Sequence, residues 1–280
     1  MSWTAVARKE VSDASRSLIL WIVSALFLLF AVIIIGAFIL VESVAPAEAT
    51  EASALDALAF VISPVSLFAP IIALLVGYKA IVGERDSGSL KVLLSLPHTR
   101  WDVMFGKLVG RSVVMAIPVL VAFVVMGLLI TVFVEPIAIG EFLVLFVLSL
   151  LFATAFVAIA IAISGAVRSS TVAAAAMFGI FALFFLLWDV ILLGLNYAIE
   201  GEVFPSTILP EWYLFVQMLA PNGAFNVAAQ GMLPNVDLYA GRFPGEVPVY
   251  LSEWAGLGVM LLWLVVPFTI GYLRFRSVDL

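Results

Sequence analysis

The chain has 280 residues, of which 65% are hydrophobic and only 11% are charged, and its formal net charge is −6. A soluble globular domain carries about 25% charged residues, so this composition, with a mean hydropathy of +1.24, excludes an ordinary soluble protein. The sequence contains no cysteine, which excludes a disulfide framework and any metal site built from thiolates.

Six long apolar segments predict an all-α, polytopic integral membrane protein. A helix needs about 20 consecutive apolar residues to cross a bilayer, and the segments cover residues 17–40, 57–78, 112–134, 142–167, 169–199 and 254–273. The first has 24 residues, whereas the apolar part of a signal peptide has roughly 7–15. We therefore expect a retained span, although Ala45-Pro46-Ala47 resembles a cleavage site and leaves processing there as an alternative.

Lysine and arginine lie almost entirely on one side of the predicted spans. If the N-terminus is cytoplasmic, 12 of the 13 basic residues fall in cytoplasmic segments and only Arg242 is external. Cytoplasmic loops retain Lys and Arg, so we predict a multi-pass plasma-membrane protein with both termini cytoplasmic and residues 1–280 forming one transmembrane domain. The external segments hold 12 Asp and Glu, a surface typical of a halophilic source, with cation attraction or chance as the alternatives.

Two stretches outside the spans are predicted to contain short helices. Residues 1–16 repeat apolar side chains at helical spacing, which predicts a helix lying in the membrane interface; a disordered tail is the alternative. Residues 197–253 form the longest segment between spans and contain apolar pieces at 209–219 and 224–232. Pro210 at a first helical turn, and the turn residues around both pieces, predict two short helices that cap the outer membrane surface.

The residues needed for ATP hydrolysis and for metal binding are missing. Gly83 and Gly88 have the spacing of a P-loop, but Ser89 and Leu90 stand where that motif requires Lys followed by Ser or Thr. His98 has neither a second histidine nor a cysteine with which to bind a metal, and we interpret it as a solvated loop residue. We therefore expect no catalytic residues, no cofactor and no metal site in this chain.

One acidic residue lies within a predicted span. Asp189 falls far along the fifth apolar segment, roughly 25 Å from its cytoplasmic end at the helical rise. Acidic residues inside membranes are functional candidates by default. The alternative is that this depth lets the carboxylate reach the outer interface, where it needs no special role.

The segment 83–111 is the only cytoplasmic stretch large enough to bind another protein. Helical spacing places Leu90, Leu93 and Leu94 on one apolar face of a short amphipathic helix, which Pro97 ends. Together with the second amphipathic helix described below, and set at an angle to it, this helix would form a rigid protrusion from spans two and three. Its function is either to dock a partner or to lie on lipid.

A second amphipathic helix is predicted to follow. Thr99 begins it, with Asp102 three residues later as its capping-box partner. One face carries aromatic and aliphatic side chains. The other is expected to be a lipid-facing basic stripe, formed by Arg100, Lys107 and Arg111.

The segment ERDSGSLKVLLSLPHTRWDVMFGKLVGR resembles the hallmark of type-2 ABC exporter permeases, E-x-x-x-G-[ST]-L-x-x-L-L-[ST]-x-P…GK. The matching residues are Glu84, Gly88, Ser89, Leu90, Leu93, Leu94, Ser95, Pro97, Gly106 and Lys107. The N-terminal ARKEVSDASRS is similar to the amphipathic elbow of that family, and Ala220-Pro221-Asn222 resembles the region before its last span. The external piece reads APNGAFN, whereas many relatives have N-P followed by an acid. The sub-branch stays open; the nitrous-oxide-reductase maturation permeases are one similar group.

The resemblance implies a permease subunit that is driven by a separate cytoplasmic ABC ATPase. It also implies that two permeases pair in the membrane, as a homodimer or as a heterodimer. It also implies that residues 84–97 form a coupling helix in a groove of the ATPase, through Glu84, Gly88, Ser89, Leu90, Leu93, Leu94, Ser95 and Pro97. Glu84 would pair there with a basic residue of the partner. The alternatives are a relay that passes ATPase motion to an external partner without transport, and a secondary transporter. No nucleic-acid partner is expected, and nothing in the sequence selects a substrate.

Overall fold

The computed structural model describes residues 3–44, 53–90, 99–234, 236, 238–239, 242–243 and 246–277. The described residues are 83% helix and include no strand, so the predicted all-α class is confirmed. The helices are α1 (Trp3–Ser15), α2 (Leu18–Ser43), α3 (Ala54–Gly77), α4 (Val82–Asp86), α5 (Arg100–Phe133), α6 (Ile139–Ala166), α7 (Ser170–Ala182), α8 (Trp188–Glu200), α9 (Glu211–Leu219), α10 (Pro221–Gly231) and α11 (Glu253–Ser277).

Six helical runs in the described residues are long and apolar enough to cross a membrane, as predicted. We number them spans one to six in chain order: Leu20–Ser43, Ala54–Asp86, Arg100–Phe133, Ile139–Ala166, Ser170–Glu200 and Glu253–Ser277. An even number of crossings puts the start of span one and the end of span six at the same end of the bundle. We call this the basic end, where α1, α4 and the first turn of α5 lie; the opposite end is the acidic end.

Local sequence signals explain where several spans begin. Ser53 and Asp56 form a capping box at the start of α3, and Thr99 and Asp102 form the predicted capping box at the start of α5. In each case the side chains satisfy N–H groups that have no partner in the first helical turn. The helix begins at the residue after each cap.

The predicted amphipathic helix after Thr99 is not separate from span three. α5 runs without a break from Arg100 to Phe133, whereas the sequence indicated a span that starts at residue 112. Nothing in this stretch ends a helix, because Gly106 and Gly110 lie where another helix crosses closely and do not form a turn. The basic end of span three therefore projects as a straight continuation of the membrane helix.

The predicted N-terminal helix forms, and α5 is its packing partner. A Cβ added to Gly106 would lie 2.6 Å from the carbonyl oxygen of Trp3, and one added to Gly110 would lie 2.6 Å from Cβ of Glu10. Glycines four residues apart let two helix backbones approach in this way. Consequently Val6 and Ala7 are buried, and α1 is docked on the bundle.

Small residues also bring span four close to its neighbours. A Cβ on Gly77 of α3 would meet Cβ of Ala160 at 2.5 Å, and one on Gly271 of α11 would meet the Cα of Ala162 at 2.4 Å. Packing of small faces replaces the hydrophobic drive that is absent in lipid. Span four is the centre of the bundle, with Phe152 and Phe156 fully buried.

The two predicted short helices before span six form a hairpin, α9 and α10, which enters the bundle from the acidic end. Gly231 at the end of α10 lies against Glu253, at the start of span six. At the other end of the hairpin, Trp263 Nε1 donates to the carbonyl of Leu219 at 2.9 Å. Ten residues separate Glu253 from Trp263, so the hairpin tip lies about 15 Å deeper than its mouth.

The prediction that these helices rest on the outer surface is therefore wrong. Phe225 of α10 is fully buried and stacks on Phe152 of span four, with ring centroids 4.4 Å apart. Gly256 of span six lies against the backbone of α10, since an added Cβ would come within 2.8 Å of the Ala224 oxygen. The short side chains of α10 allow this depth, and amphipathic spacing alone does not distinguish a surface helix from a re-entrant one.

Candidate functional site at the basic end

Span two ends in a turn and the short helix α4, which is fastened to span four. The buried hydroxyl of Ser164 accepts hydrogen bonds from the N–H groups of Ile81 and Val82, at 2.9 and 3.0 Å. These N–H groups begin α4 and would otherwise lack partners. Arg85 donates to the carbonyl of Val167, and Asp86 accepts from the N–H of Ser170 at 3.2 Å, so α4 is anchored at the junction of spans four and five.

A left-handed turn follows α4. Gly88 has φ +76°, a conformation that costs an L side chain energy but not glycine. After it, Ser89 shares a hydrogen bond with Ser87 at 2.9 Å, and Leu90 is 1% exposed in the core of the bundle. The remaining residues of the predicted coupling helix, Leu93, Leu94, Ser95 and Pro97, lie outside the described residues, as does His98.

A buried group of charged side chains joins α4 to α1 and α5. We call it the ion cluster, formed by Lys9, Glu10, Glu84, Lys107 and Arg111. Lys107 Nζ lies 2.6 Å from Glu10 Oε1 and 2.9 Å from Glu84 Oε1. Lys9 Nζ lies 3.3 Å from the same Glu84 oxygen, and Arg111 Nε lies 2.6 Å from Glu10 Oε2.

Lys107 is the centre of the ion cluster. Its side chain is 1% exposed, and those of Glu10 and Glu84 are 7% and 18% exposed. A buried ammonium is tolerated only with charged partners at good distance, and Lys107 has one carboxylate from α1 and another from α4. Burial by itself would raise the pKa of Glu10, but the positive charges of Lys107 and Arg111 outweigh it and hold that pKa below its usual value.

Arg111 extends the ion cluster toward span two. Its Nε–H does not point at the nearby Glu10 oxygen, so the 2.6 Å contact is an ion pair without hydrogen-bond geometry. A second nitrogen of the guanidinium donates to the carbonyl of Val76 at 2.9 Å. The second oxygen of Glu84 is buried and has no hydrogen-bond partner among the described residues.

The predicted lipid-facing basic stripe is therefore wrong. Lys107 and Arg111 point into the ion cluster, and Arg100 donates to the carbonyls of Phe275 and Arg276 at 2.6 and 3.0 Å. Arg100 thus ties the first turn of α5 to the last turn of span six. The sequence did contain a signal for this burial, because Lys107 lies between Gly106 and Gly110 in the pattern G-x-x-x-G. That pattern predicts a closely packed helix, and a lysine buried under such a helix requires an acidic partner.

The site joins three chain segments that are far apart in sequence. Glu84 stands at the end of span two, Glu10 on α1 and Lys107 on span three, and one ammonium binds both carboxylates. Moving α1 or α4 away from span three would leave a buried charge without its partner, at a cost of several kcal/mol. The ion cluster therefore fastens both α1 and α4 to span three.

Asp189 lies at the opposite end of the bundle, directly after a π-helical segment, Leu183–Leu187. It lines a cavity of about 310 Å³ with Arg242 and with polar residues of the re-entrant hairpin. Asn222, Asn226 and Gln230 follow at four-residue intervals along one face of α10. Three buried polar atoms of the lining have no hydrogen-bond partner among the described residues: Trp188 Nε1, Asn222 Oδ1 and Asn226 Oδ1.

Comparison with known proteins agrees with this architecture. The pattern of the family described as "ABC-2 family transporter protein" matches residues 4–280. The chain is 33% identical to the "Probable ABC transporter permease protein NosY" of Stutzerimonas stutzeri, over 97% of this chain and 96% of that protein. It is 30% identical to the protein of the same name from Pseudomonas aeruginosa, over 92% of this chain and 95% of that one.

The family match over residues 4–280 covers all six spans and the residues of the ion cluster, so the likeness is one of nearly the whole chain. The matches confirm the resemblance drawn from the segment that begins at Glu84. The chain belongs to the ABC-2 transporter family and is a membrane-spanning permease subunit of an ATP-binding-cassette transporter.

Proposed function

We propose that this permease is the homodimeric membrane part of an exporter in the plasma membrane, with its basic end in the cytoplasm. There the segment that begins at Glu84 docks on the separate ATPase subunit that the family requires. The observation that supports docking at this end is the ion cluster. Because Lys107 fixes α4 to span three, a movement of α4 would move span three with it. In the acidic end, no comparable buried ion pair joins the helices of the described residues.

The docking surface is proposed to start after Gly88. Leu90 is buried against the bundle, so within the described arrangement it holds the segment in place and does not face a partner. Leu93 and Leu94 remain the proposed apolar contacts with the ATPase, and Ser95 and Pro97 the end of that contact. Glu84, which the sequence suggested as a partner for a basic residue of the ATPase, is instead proposed to transmit motion through Lys107.

The cavity around Asp189 is the proposed outer part of the transport path. Its polar lining offers hydrogen-bond donors and acceptors at the acidic end of the bundle, and π-helical segments are often found at functional positions. A polar cavity of this kind supports transport of a solute over a purely mechanical relay.

The proposed orientation predicts which introduced cysteines react from outside the cell. The chain has no cysteine of its own, so single substitutions at Thr50, Arg100 and Pro234 report one position each. An impermeant thiol reagent on intact cells is expected to label positions 50 and 234 and to leave position 100 unlabelled until the membrane is permeabilised. Labelling of position 100 on intact cells would contradict the proposed orientation and place the basic end outside the cell.

The isolated permease is expected to show no ATP turnover, because Ser89 and Leu90 stand where a P-loop needs Lys followed by Ser or Thr to bind the terminal phosphates. Turnover should appear when the purified permease is mixed with its ATPase subunit in liposomes. The measurement is phosphate release with and without that subunit. Stoichiometric binding of ATP to the permease alone would contradict the assignment of hydrolysis to a partner.

A further inference from the structure

An open groove runs along the outside of the bundle between spans three, four and six. Its volume is about 570 Å³, within the range of ligand sites, and its lining is almost wholly apolar. Trp101 and Phe105 form its basic end, and Val113 and Ala116 lie further along span three. The 15 residues from Trp101 to Ala116 correspond to about 22 Å along the helix, so the groove is long and suits one extended hydrocarbon chain.

Aromatic rings frame the basic end of this groove. The Trp101 ring stacks on Phe105 with centroids 5.4 Å apart and meets the edge of Tyr272 at 5.1 Å. Trp101 remains 43% exposed. Tryptophan and tyrosine collect at the level of lipid headgroups, so these rings place the mouth of the groove at the membrane–water boundary.

Positive charge lies directly beyond the rings. Val265, Tyr272 and Arg276 of span six fall within about 40° of one helix face, at 100° per residue, so Arg276 continues the wall of the groove. Arg276 is exposed and forms no ion pair with a described carboxylate, whereas Arg274, about 200° away around the helix, faces away from the groove. Arg100 is held beside Arg276 by its bonds to the carbonyls of Phe275 and Arg276.

We propose that this groove holds one acyl chain of an anionic phospholipid, with the lipid phosphate on Arg276 beside Arg100. The lipid belongs to the cytoplasmic leaflet, which rests on the orientation proposed above. Each basic residue near a membrane surface contributes about 1 kcal/mol toward an anionic lipid, so this group of arginines selects an anionic headgroup over a zwitterionic one.

A second copy of the chain is a poorer occupant of the groove. A two-fold axis along the membrane normal would pair identical surfaces at equal depth, and the arginines of both copies would then face one another. A phosphate between them removes that repulsion. Trp3 of α1 also contacts Phe105, with centroids 5.3 Å apart, so a lipid in the groove supports the helix that carries Glu10.

The test is native mass spectrometry of the purified full-length chain, titrated with palmitoyl-oleoyl phosphatidylglycerol or with phosphatidylcholine of the same chains. We expect one tightly retained phosphatidylglycerol and weaker binding of phosphatidylcholine. Arg276→Gln should weaken phosphatidylglycerol binding about fivefold, the effect of one headgroup contact, and Ala116→Phe, which fills the groove, should remove binding of both lipids. The matched controls are Arg16→Gln, an exposed cation at the same end, and Val124→Phe, on the exposed face of span three.

Equal retention of the two lipids, or unchanged binding in both groove variants, would overturn the proposal and leave only unselective boundary lipid. Conversion of a dimer to a monomer by Ala116→Phe, with lipid binding unchanged, would also overturn it and assign the groove to a second copy. Binding in micelles does not depend on which way the chain crosses a membrane. A failure here is therefore distinct from a failure of the proposed topology.

Discussion

Replacing Lys107 with methionine is expected to lower the free energy of unfolding by about 3–5 kcal/mol, because it leaves two buried carboxylates without their shared cation. Methionine has nearly the shape of the lysine stem, so the loss reports charge and not volume. Lys107 is 1% exposed and lies within 3 Å of both Glu10 and Glu84. The measurement is the unfolding midpoint of the purified chain in mixed micelles titrated with sodium dodecyl sulfate.

Two control variants distinguish the loss of the ion cluster from a general destabilisation of the fold. Lys9→Met removes a cation that is 48% exposed, and an exposed pair contributes only about 0–1 kcal/mol. The double variant Glu10→Met with Lys107→Met should regain part of the loss, since it removes the more deeply buried of the two carboxylates that Lys107→Met leaves without a cation. If Lys107→Met unfolds like the native chain, the ion cluster does not hold α1 and α4 on span three.

Reversing the charge of Glu84 is expected to uncouple the ATPase. A lysine at this position would place its ammonium beside Lys107 and Lys9, and juxtaposed like charges cost several kcal/mol. The end of α4 should then separate from span three while the spans themselves remain inserted. We expect normal amounts of membrane-inserted Glu84→Lys protein but loss of ATP turnover, or of ATPase co-purification, in proteoliposomes.

Glu84→Gln is the matched variant for this experiment. The amide keeps the size of the side chain and one hydrogen-bond acceptor for Lys107, so we expect reduced but measurable coupling. A complex of Glu84→Lys with full ATP turnover and full association would show that α4 does not transmit motion through this carboxylate.

The spans were predictable because the bilayer imposes the same demand on each of them. Every crossing helix needs a long apolar run and internal hydrogen bonds, so the number and order of spans follow from sequence. The start of the helix after Thr99 was equally local, since Ser or Thr with an acid three residues later satisfies the first helical turn. That this helix continues into span three was not, because the uncharged apolar run begins only at residue 112 and the buried partners of Lys107 and Arg111 lie far away in the sequence.

The depth of the re-entrant hairpin and the partners of the charges depend on contacts between distant segments. From sequence alone, Phe225 could lie on the membrane-facing side of a surface helix or in the core of the bundle. Its stacking on Phe152 of span four shows that it lies in the core. Lys107 likewise has the helical spacing of a lipid-facing cation. Its burial becomes evident once α1 and α4 supply Glu10 and Glu84, 97 residues and 23 residues away.

The most direct test of the account is the affinity of the purified permease for its ATPase subunit when Leu93 is replaced by aspartate. A leucine buried in a partner groove contributes roughly 1.5–3 kcal/mol, and an unpaired charge in its place costs more. Arg111→Gln is not a neutral control, since Arg111 belongs to the ion cluster; Ser12→Asp, an exposed position on α1, adds the same charge at the same end of the bundle. The account predicts more than a tenfold loss of affinity for Leu93→Asp and none for Ser12→Asp, whereas full affinity and transport in Leu93→Asp would show that the segment after Gly88 lies on lipid and does not dock the ATPase.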